Sequence, residues 1–282
     1  MIPAAFDYAA PKTVGEALKL LSKHRGAAVM AGGQSLLSLM KLRAASPSMI
    51  VDLGRIRGLS YIKKKGNTLA IGAMTSHWEI GSSAVVQREA RALAEAAEAI
   101  GDLQVRNRGT IGGSLAHADP AADYPAAFLA LEGSVVVQGP RKTRTIPAGE
   151  FFTGLFATGL KAGEIITEIQ IPLKPAIAGS SYQKMKHPAS GFAIVGAAAV
   201  VRGSGSDREV RLAFTGAAAH AYRAKAVEAA LNGKALDVAA VREAMQMATD
   251  GVQLLEDLSA DKEYRAQLVR VFGQRAMLAA AG

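Results

Sequence analysis

The sequence predicts an α+β protein of 282 residues in three lobes, on three observations. Short apolar runs alternate with capped helical patterns over residues 1–55. A stretch of linker composition, Lys174-Pro175-Ala176-Ile177-Ala178-Gly179-Ser180-Ser181, divides the chain. Beyond it, three strand-like runs precede a run of helices, the segregated order of an α+β unit. The predicted lobes are residues 1–55, 56–176 and 177–282. Half the residues are hydrophobic and 20% are charged, a balance that suits folded domains and not a disordered chain.

Thr13-Val14-Gly15-Glu16 has the form of a capping box, and Val14, Ala17, Leu18 and Leu21 follow at helical spacing. This helix is predicted to end near Gly26, and residues 27–31 and 49–53 read as short buried strands. In the second lobe, residues 59–62 and 68–71 pair across 63–67, which puts Lys63, Lys64 and Lys65 at an exposed hairpin tip. Ser76-His77-Trp78-Glu79 is a second capping box. Residues 87–100 form an Ala-rich helical pattern, followed by a glycine-rich turn, a helix over 124–131 and strands over 135–137 and 165–171. The third lobe is predicted as strands over 182–186, 192–201 and 210–215, then helices over 223–231, 238–250 and 262–278.

Composition excludes several chemistries. There is no cysteine, hence no disulfide, thiolate nucleophile, thiolate-held iron–sulfur cluster or Cys-type zinc site. Thirty-three Lys and Arg against 24 Asp and Glu leave +9. That charge fits a solvated basic surface or one that docks an acidic partner; aromatic residues are too few, at 5%, to give a nucleic-acid stacking platform. The first eight residues carry no basic segment leading into an apolar run, so a secretory leader is not expected. The longest apolar run, residues 192–201, is too short to cross a bilayer, and a cytoplasmic location is predicted.

Motif inspection narrows the chemistry further. No G-x-G-x-x-G follows a strand, no G-x-S-x-G is present, and 154–161 misses the phosphate-loop pattern because its lysine falls one place late. The five histidines, His24, His77, His117, His187 and His220, include no i,i+4 pair, so no metal site and no catalytic residue is predicted. Two glycine-rich segments remain. Ala31-Gly32-Gly33-Gln34-Ser35-Leu36 follows a strand, and Thr110-Ile111-Gly112-Gly113-Ser114 precedes Ala118-Asp119-Pro120-Ala121-Ala122-Asp123. Paired glycines permit positive φ and let amide groups converge on an anion; Ser35, Thr110 and Ser114 add hydroxyls. Together they could grip a diphosphate from two sides, or they could be two ordinary tight turns.

These strings resemble the FAD-binding medium subunit of molybdenum hydroxylases, the family of aerobic carbon monoxide dehydrogenase and xanthine dehydrogenase. The resemblance extends to Gly72-Ala73-Met74-Thr75-Ser76-His77, to residues 164–172 and to Tyr182-Gln183-Lys184-Met185-Lys186-His187-Pro188-Ala189-Ser190-Gly191-Phe192-Ala193. It implies a two-lobed FAD-binding fold of the vanillyl-alcohol oxidase type, followed by a C-terminal lobe of a three-stranded antiparallel sheet and helices covering the flavin.

By the same resemblance, Val29, Met30, Ala31, Gly32, Gly33, Gln34, Ser35 and Leu36 wrap the diphosphate and ribityl chain of a noncovalent FAD. Thr110, Ile111, Gly112, Gly113 and Ser114 hold the diphosphate from the other side. Asp123 accepts from a cofactor hydroxyl, Asp119 being the expected cap of the following helix. Ile100 and Ile166 pack on the cofactor, and Lys184 lies at the flavin's polar edge unless it faces solvent. Phe192 stands where several relatives place a tyrosine, keeping the ring face and losing the hydroxyl.

The implied function is electron transfer. A large subunit would carry the molybdenum cofactor and a small one two [2Fe-2S] clusters, with this chain passing electrons from the clusters to an external acceptor in a dimer of heterotrimers. A stand-alone FAD-dependent oxidase or dehydrogenase of the same fold, and a cofactor-free basic binding protein, are the alternatives.

Overall fold

The computed structural model describes residues 2–282. The first lobe is a three-stranded parallel sheet, β1 (Asp7–Ala9), β3 (Met49–Asp52) and β2 (Ala27–Met30) in that order, with α1 (Val14–Lys23) and α2 (Leu36–Lys41). Thr13 caps α1 by accepting from the Glu16 amide, while the Glu16 carboxylate turns back to the Lys12 amide. Ala17, Leu18, Val51 and Leu53 form the core of the lobe.

The second lobe is a five-stranded antiparallel sheet in the order β4 (Ile62–Lys65), β5 (Thr68–Gly72), β10 (Ile165–Pro172), β6 (Ser134–Gln138), β7 (Thr143–Pro147). The Lys63-Lys64-Lys65 run lies in edge strand β4 and not at the hairpin tip. The turn needs only Gly66 and Asn67, with Gly66 at φ +57°, and the lysines leave a charged edge that discourages pairing with another sheet.

Helices α3 (His77–Gly81), α4 (Ala84–Glu89), α5 (Arg91–Glu98), α6 (Leu103–Arg108), α7 (Ile111–His117) and α8 (Tyr124–Ala130) join β5 to β6. Two expectations are corrected here. The pattern at 87–100 is broken at Ala90, whose φ −153° and ψ 57° are not helical. The new helix start is tied down from outside: the Ala92 amide donates to Ser180 Oγ at 3.0 Å, and the Glu95 carboxylate accepts from the Tyr182 amide. The glycine-rich turn is in fact the first turn of α7, with Thr110 as its cap accepting from Gly113. Between β7 and β10 a short helix, α9 (Ala148–Phe151), leads into the small hairpin β8 (Phe152–Gly154) and β9 (Ala157–Thr158).

The C-terminal sheet has four strands where three are expected: β11 (Ile177–Lys186), β12 (Ala193–Arg202), β13 (Glu209–Thr215) and the two-residue β14 (Tyr222–Arg223), all antiparallel. β14 is too short to leave a period-2 pattern. β11 begins inside the stretch of linker composition, because Gly179 is needed where the strand passes the backbone of the C-terminal helix at Ala280. Helices α10 (Lys225–Leu231), α11 (Val238–Ala244) and α12 (Lys262–Ala281) complete the lobe.

β12 is buried along its whole length, since its two faces serve two cores. Ala198 and Val200 join Tyr182, Phe128 and Leu93 toward the second lobe; Val195, Ala197, Ala199 and Val201 pack with Phe272 and Met277 of α12. Arg202, fully buried, donates to the carbonyls of Leu131, Pro172 and Pro175 and bolts the sheet to the segment entering it. The C-terminal lobe therefore sits on the second lobe through a core-like contact, which fixes the walls of the cavity described next.

Candidate functional site

The three lobes meet around one deep cavity of about 420 Å³. The first lobe contributes Val29, Ala31, Gly32, Gly33, Gln34, Ser35, Leu36, Leu39 and Leu53. The second contributes Ala73, Met74, His77, Ile100, Thr110, Gly112, Gly113, Ser114, Asp123 and Ile166 among others, and the third Ser190, Gly191 and Phe192. Phe192, 46% exposed, stands at the mouth.

The two glycine-rich segments touch. A Cβ on Gly32 would strike the Arg108 carbonyl and come within 2.8 Å of the Gly109 Cα. One on Gly113 would come within 3.3 Å of the Ala31 Cβ. Their chemistry nevertheless differs. In the first segment, the N–H groups of Gly32, Gly33, Gln34, Ser35 and Leu36 find no acceptor among the described residues, and neither does the Ser35 hydroxyl. Gly33, at φ +76°, turns the chain so that this row of donors lines the cavity.

In the second segment the amides are already used: Ile111 donates to the Thr75 carbonyl, Gly112 to that of Ala73 at 2.9 Å, and Gly113 to Thr110 Oγ1. Neither Gly112 nor Gly113 has positive φ. Gly112 is small because a Cβ there would lie 2.6 Å from that of Ala73. What this segment leaves open toward the cavity is the Thr110 amide and the Ser114 hydroxyl.

Several predicted contacts are relocated. Ile111 is buried in the core of the second lobe and Met30 lies behind the cavity wall, so neither lines it. Lys184 reaches neither the cavity nor solvent. Its ammonium is buried against both carboxylate oxygens of Asp123, at 2.8 and 2.9 Å, and donates to the Ala99 carbonyl at 3.0 Å. Asp123 does line the cavity, but its carboxylate also accepts from Tyr182 Oη at 2.6 Å. Burial pushes the Asp123 carboxyl above its usual range, with Lys184 pulling it back. Asp119 does not cap α8; its side chain accepts from Ala121 two residues on. Burial and the charge of Asp123 hold the Tyr182 hydroxyl well above the ordinary phenol range.

Residues that sequence reasoning did not assign to the wall include His117, Leu160, Glu164 and Ile165. Glu164 is held by a two-pronged pair with Arg144, at 2.9 and 2.7 Å, which keeps its carboxyl below the ordinary range. No local signal marks Leu160, Glu164 and Ile165, because β10 and the segment before it bring them to the wall, and His117 arrives at the end of α7. Among the described residues, no group of three His, Asp or Glu side chains is placed to hold a metal ion.

The free amides and hydroxyls suit an anionic, oxygen-rich ligand, and the flanking Val29, Leu36, Leu53, Ile100 and Ile166 suit an apolar ring system. A dinucleotide with a diphosphate at its centre has both features.

Comparison with known proteins points the same way. Residues 4–174 match a family model described as the FAD binding domain in molybdopterin dehydrogenase, and residues 180–280 one described as the CO dehydrogenase flavoprotein C-terminal domain. The chain is 42% identical to the carbon monoxide dehydrogenase medium chain of Hydrogenophaga pseudoflava, over 99% of this chain and 98% of that one. It is 33% identical to the glyceraldehyde dehydrogenase medium chain of Sulfolobus acidocaldarius, over 98% of each. Among solved structures, carbon monoxide dehydrogenase from Hydrogenophaga pseudoflava matches with a TM-score of 0.95 at 44% identity, covering 99% of this chain and 98% of that one. Quinoline 2-oxidoreductase from Pseudomonas putida 86 matches with a TM-score of 0.93 at 31% identity, covering 100% and 98%.

Proposed function

The chain belongs to the family of FAD-binding medium subunits of molybdenum hydroxylases, and from that premise we propose that it relays electrons from [2Fe-2S] clusters of a partner subunit to an external acceptor. It is an oxidoreductase subunit with FAD as its cofactor. The observation that carries the assignment of the site is the row of five unpaired amides at 32–36 facing Thr110 and Ser114 across one cavity.

Bound FAD supplies redox chemistry that accepts and releases electrons singly or in pairs. The protein's part is to bind, orient and enclose. The Gly32–Leu36 amides and the Ser35 hydroxyl neutralise diphosphate charge without a cation, and Thr110 and Ser114 add donors from the facing helix. Ile100 and Ile166 supply apolar wall, and Val29, Ala31 and Leu36 close the first-lobe side. Asp123, held in place by Lys184 and Tyr182, presents its remaining acceptor capacity to a cofactor hydroxyl. Lys184 acts through Asp123 and holds the third lobe to the second. Phe192 covers the mouth with a ring face that has no hydroxyl to give.

The proposed partners are a large subunit with the molybdenum cofactor and a small subunit with the iron–sulfur clusters, in a cytoplasmic dimer of heterotrimers. No described helix is long and apolar enough to cross a membrane.

The test is the visible spectrum of the full chain, purified with and without added FAD, alone and after co-expression with the adjacent subunits. A flavin spectrum that is released on denaturation and is bleached by substrate only in the complex supports the relay. Bleaching by substrate with the chain alone would favour a stand-alone oxidase. No flavin uptake in either preparation would favour a cofactor-free protein.

A further inference from the structure

His77 lines the cavity, yet it is 96% removed from solvent, being 4% exposed. It opens α3, where Ser76 and Glu79 form a reciprocal capping box, so its backbone is fixed. Its amide donates to the Gly109 carbonyl at 3.0 Å, which locks it to the second glycine-rich segment. The imidazole therefore has little freedom of position.

Its tautomer is fixed too. His77 Nδ1 lies 3.1 Å from the Tyr124 hydroxyl, and that hydroxyl has no other partner among the described residues. Tyr124 is completely buried. If Nδ1 carried the proton, the phenol hydrogen would be a buried donor without an acceptor, which costs more than an ordinary hydrogen bond contributes. Tyr124 therefore donates, Nδ1 accepts, and the imidazole proton resides on Nε2. Burial, and secondarily the charge of Arg106, lower the histidine to about 4, so the ring is neutral near pH 7.

The Nε2–H has no acceptor among the described residues. It lies over Gly109, where a Cβ would collide with it, and Gly109 also abuts Gly32 of the first segment. His77 thus stands beside the junction at which the two segments meet, with its Nε2–H left as an unmatched donor.

We propose that His77 is a further cofactor-binding residue, its Nε2–H donating to a diphosphate oxygen of the bound dinucleotide, with Tyr124 as the positioning residue that fixes the tautomer. This rests on the FAD reading of the cavity. The contact adds a donor without adding charge to a site already rich in amides, and it ties the cofactor to α3, an element neither glycine-rich segment contains.

The experiment is flavin-fluorescence titration of the full apo chain with FAD, and competition by ADP and by riboflavin, for the wild type and for His77→Phe, His77→Gln and Tyr124→Phe. His77→Phe is expected to weaken FAD and ADP about 3- to 10-fold, the loss of one hydrogen bond, and to leave riboflavin unchanged. His77→Gln, which restores an N–H near the same place, is expected to recover part of that loss. Nitrogen-15 spectra of histidine-labelled apo protein are expected to show one ring with the proton on Nε2, its Nε2 signal moving on addition of ADP. Tyr124→Phe is expected to mix the two tautomers of that ring.

Unchanged ADP and FAD affinity in a folded His77→Phe protein overturns the inference while leaving the FAD reading intact. So does a ring protonated on Nδ1. If His77→Phe does not fold, the nitrogen-15 shift and Tyr124→Phe decide. Failure of the wild-type chain to bind either FAD or ADP overturns the reading and the inference together.

Discussion

The two glycine-rich segments read alike as sequence and do opposite things in the fold. Residues 32–36 leave their amides unpaired toward the cavity, and Gly33 uses a left-handed φ to do so. Residues 111–114 spend theirs on Thr75, Ala73 and Thr110, and their glycines are there for lack of bulk. The first segment supplies donors; the second supplies the frame that holds them in place. A glycine pair alone does not tell which role it plays, because that depends on what lies across from it.

The largest effect expected from breaking this contrast is at Gly112. Gly112→Val forces a side chain into the Ala73 backbone. It is expected to cost about 3 kcal/mol of stability, read by urea denaturation, and to empty the site as a consequence. A Gly112→Val protein of wild-type stability would remove the frame role.

Next is the acid response of His77, which is bonded to the frame through the Gly109 carbonyl. The imidazole is held neutral down to about 4 in the folded chain, against an unfolded value near 6.5. The unfolded chain binds the extra proton between those values, so stability is full above about pH 6.5 and falls as pH drops toward 4. The loss amounts to about 2–3 kcal/mol. His77→Gln is expected to flatten that limb in denaturation curves recorded from pH 7 to 4.

Gly33→Val sharpens the other side. The backbone strain of a β-branched residue at φ +76° is about 1–2 kcal/mol. The protein is expected to fold and to bind FAD more weakly, because the amide row is re-aimed. Binding and stability therefore separate here and not at Gly112, which a paired melt and fluorescence titration would show. The smallest effects are at the hydroxyls: Ser35→Ala and Ser114→Ala are each expected to weaken FAD about 3- to 10-fold with unchanged melting temperature.

The readings that carried over were local. The Ser76 box, the strand at 135–137, the run at 192–201 and the order of strands then helices in the last lobe follow from periodicity and capping chemistry. The strings 31–37, 110–114 and 118–123 were enough to point to the family. What failed were readings in which a local pattern had a competing partner far away. Lys184 alternates with Tyr182 and Lys186 like a solvent-facing strand residue, but Asp123, 61 residues away, takes its charge into the interior. The helix at 87–100 breaks because Ser180 and Tyr182 arrive at its middle and bond there.

Amino-acid order alone is enough for the class of the fold, for two glycine-rich segments beside hydroxyls and for the exclusion of thiolate chemistry. Those follow from residue type and near-neighbour spacing, which act over a few residues. Which amides remain free, which carboxylate is neutralised and which nitrogen of His77 carries the proton depend on contacts between distant elements. Each of those is settled by a buried group looking for a hydrogen-bond partner, and the partner lies on another element brought alongside by packing.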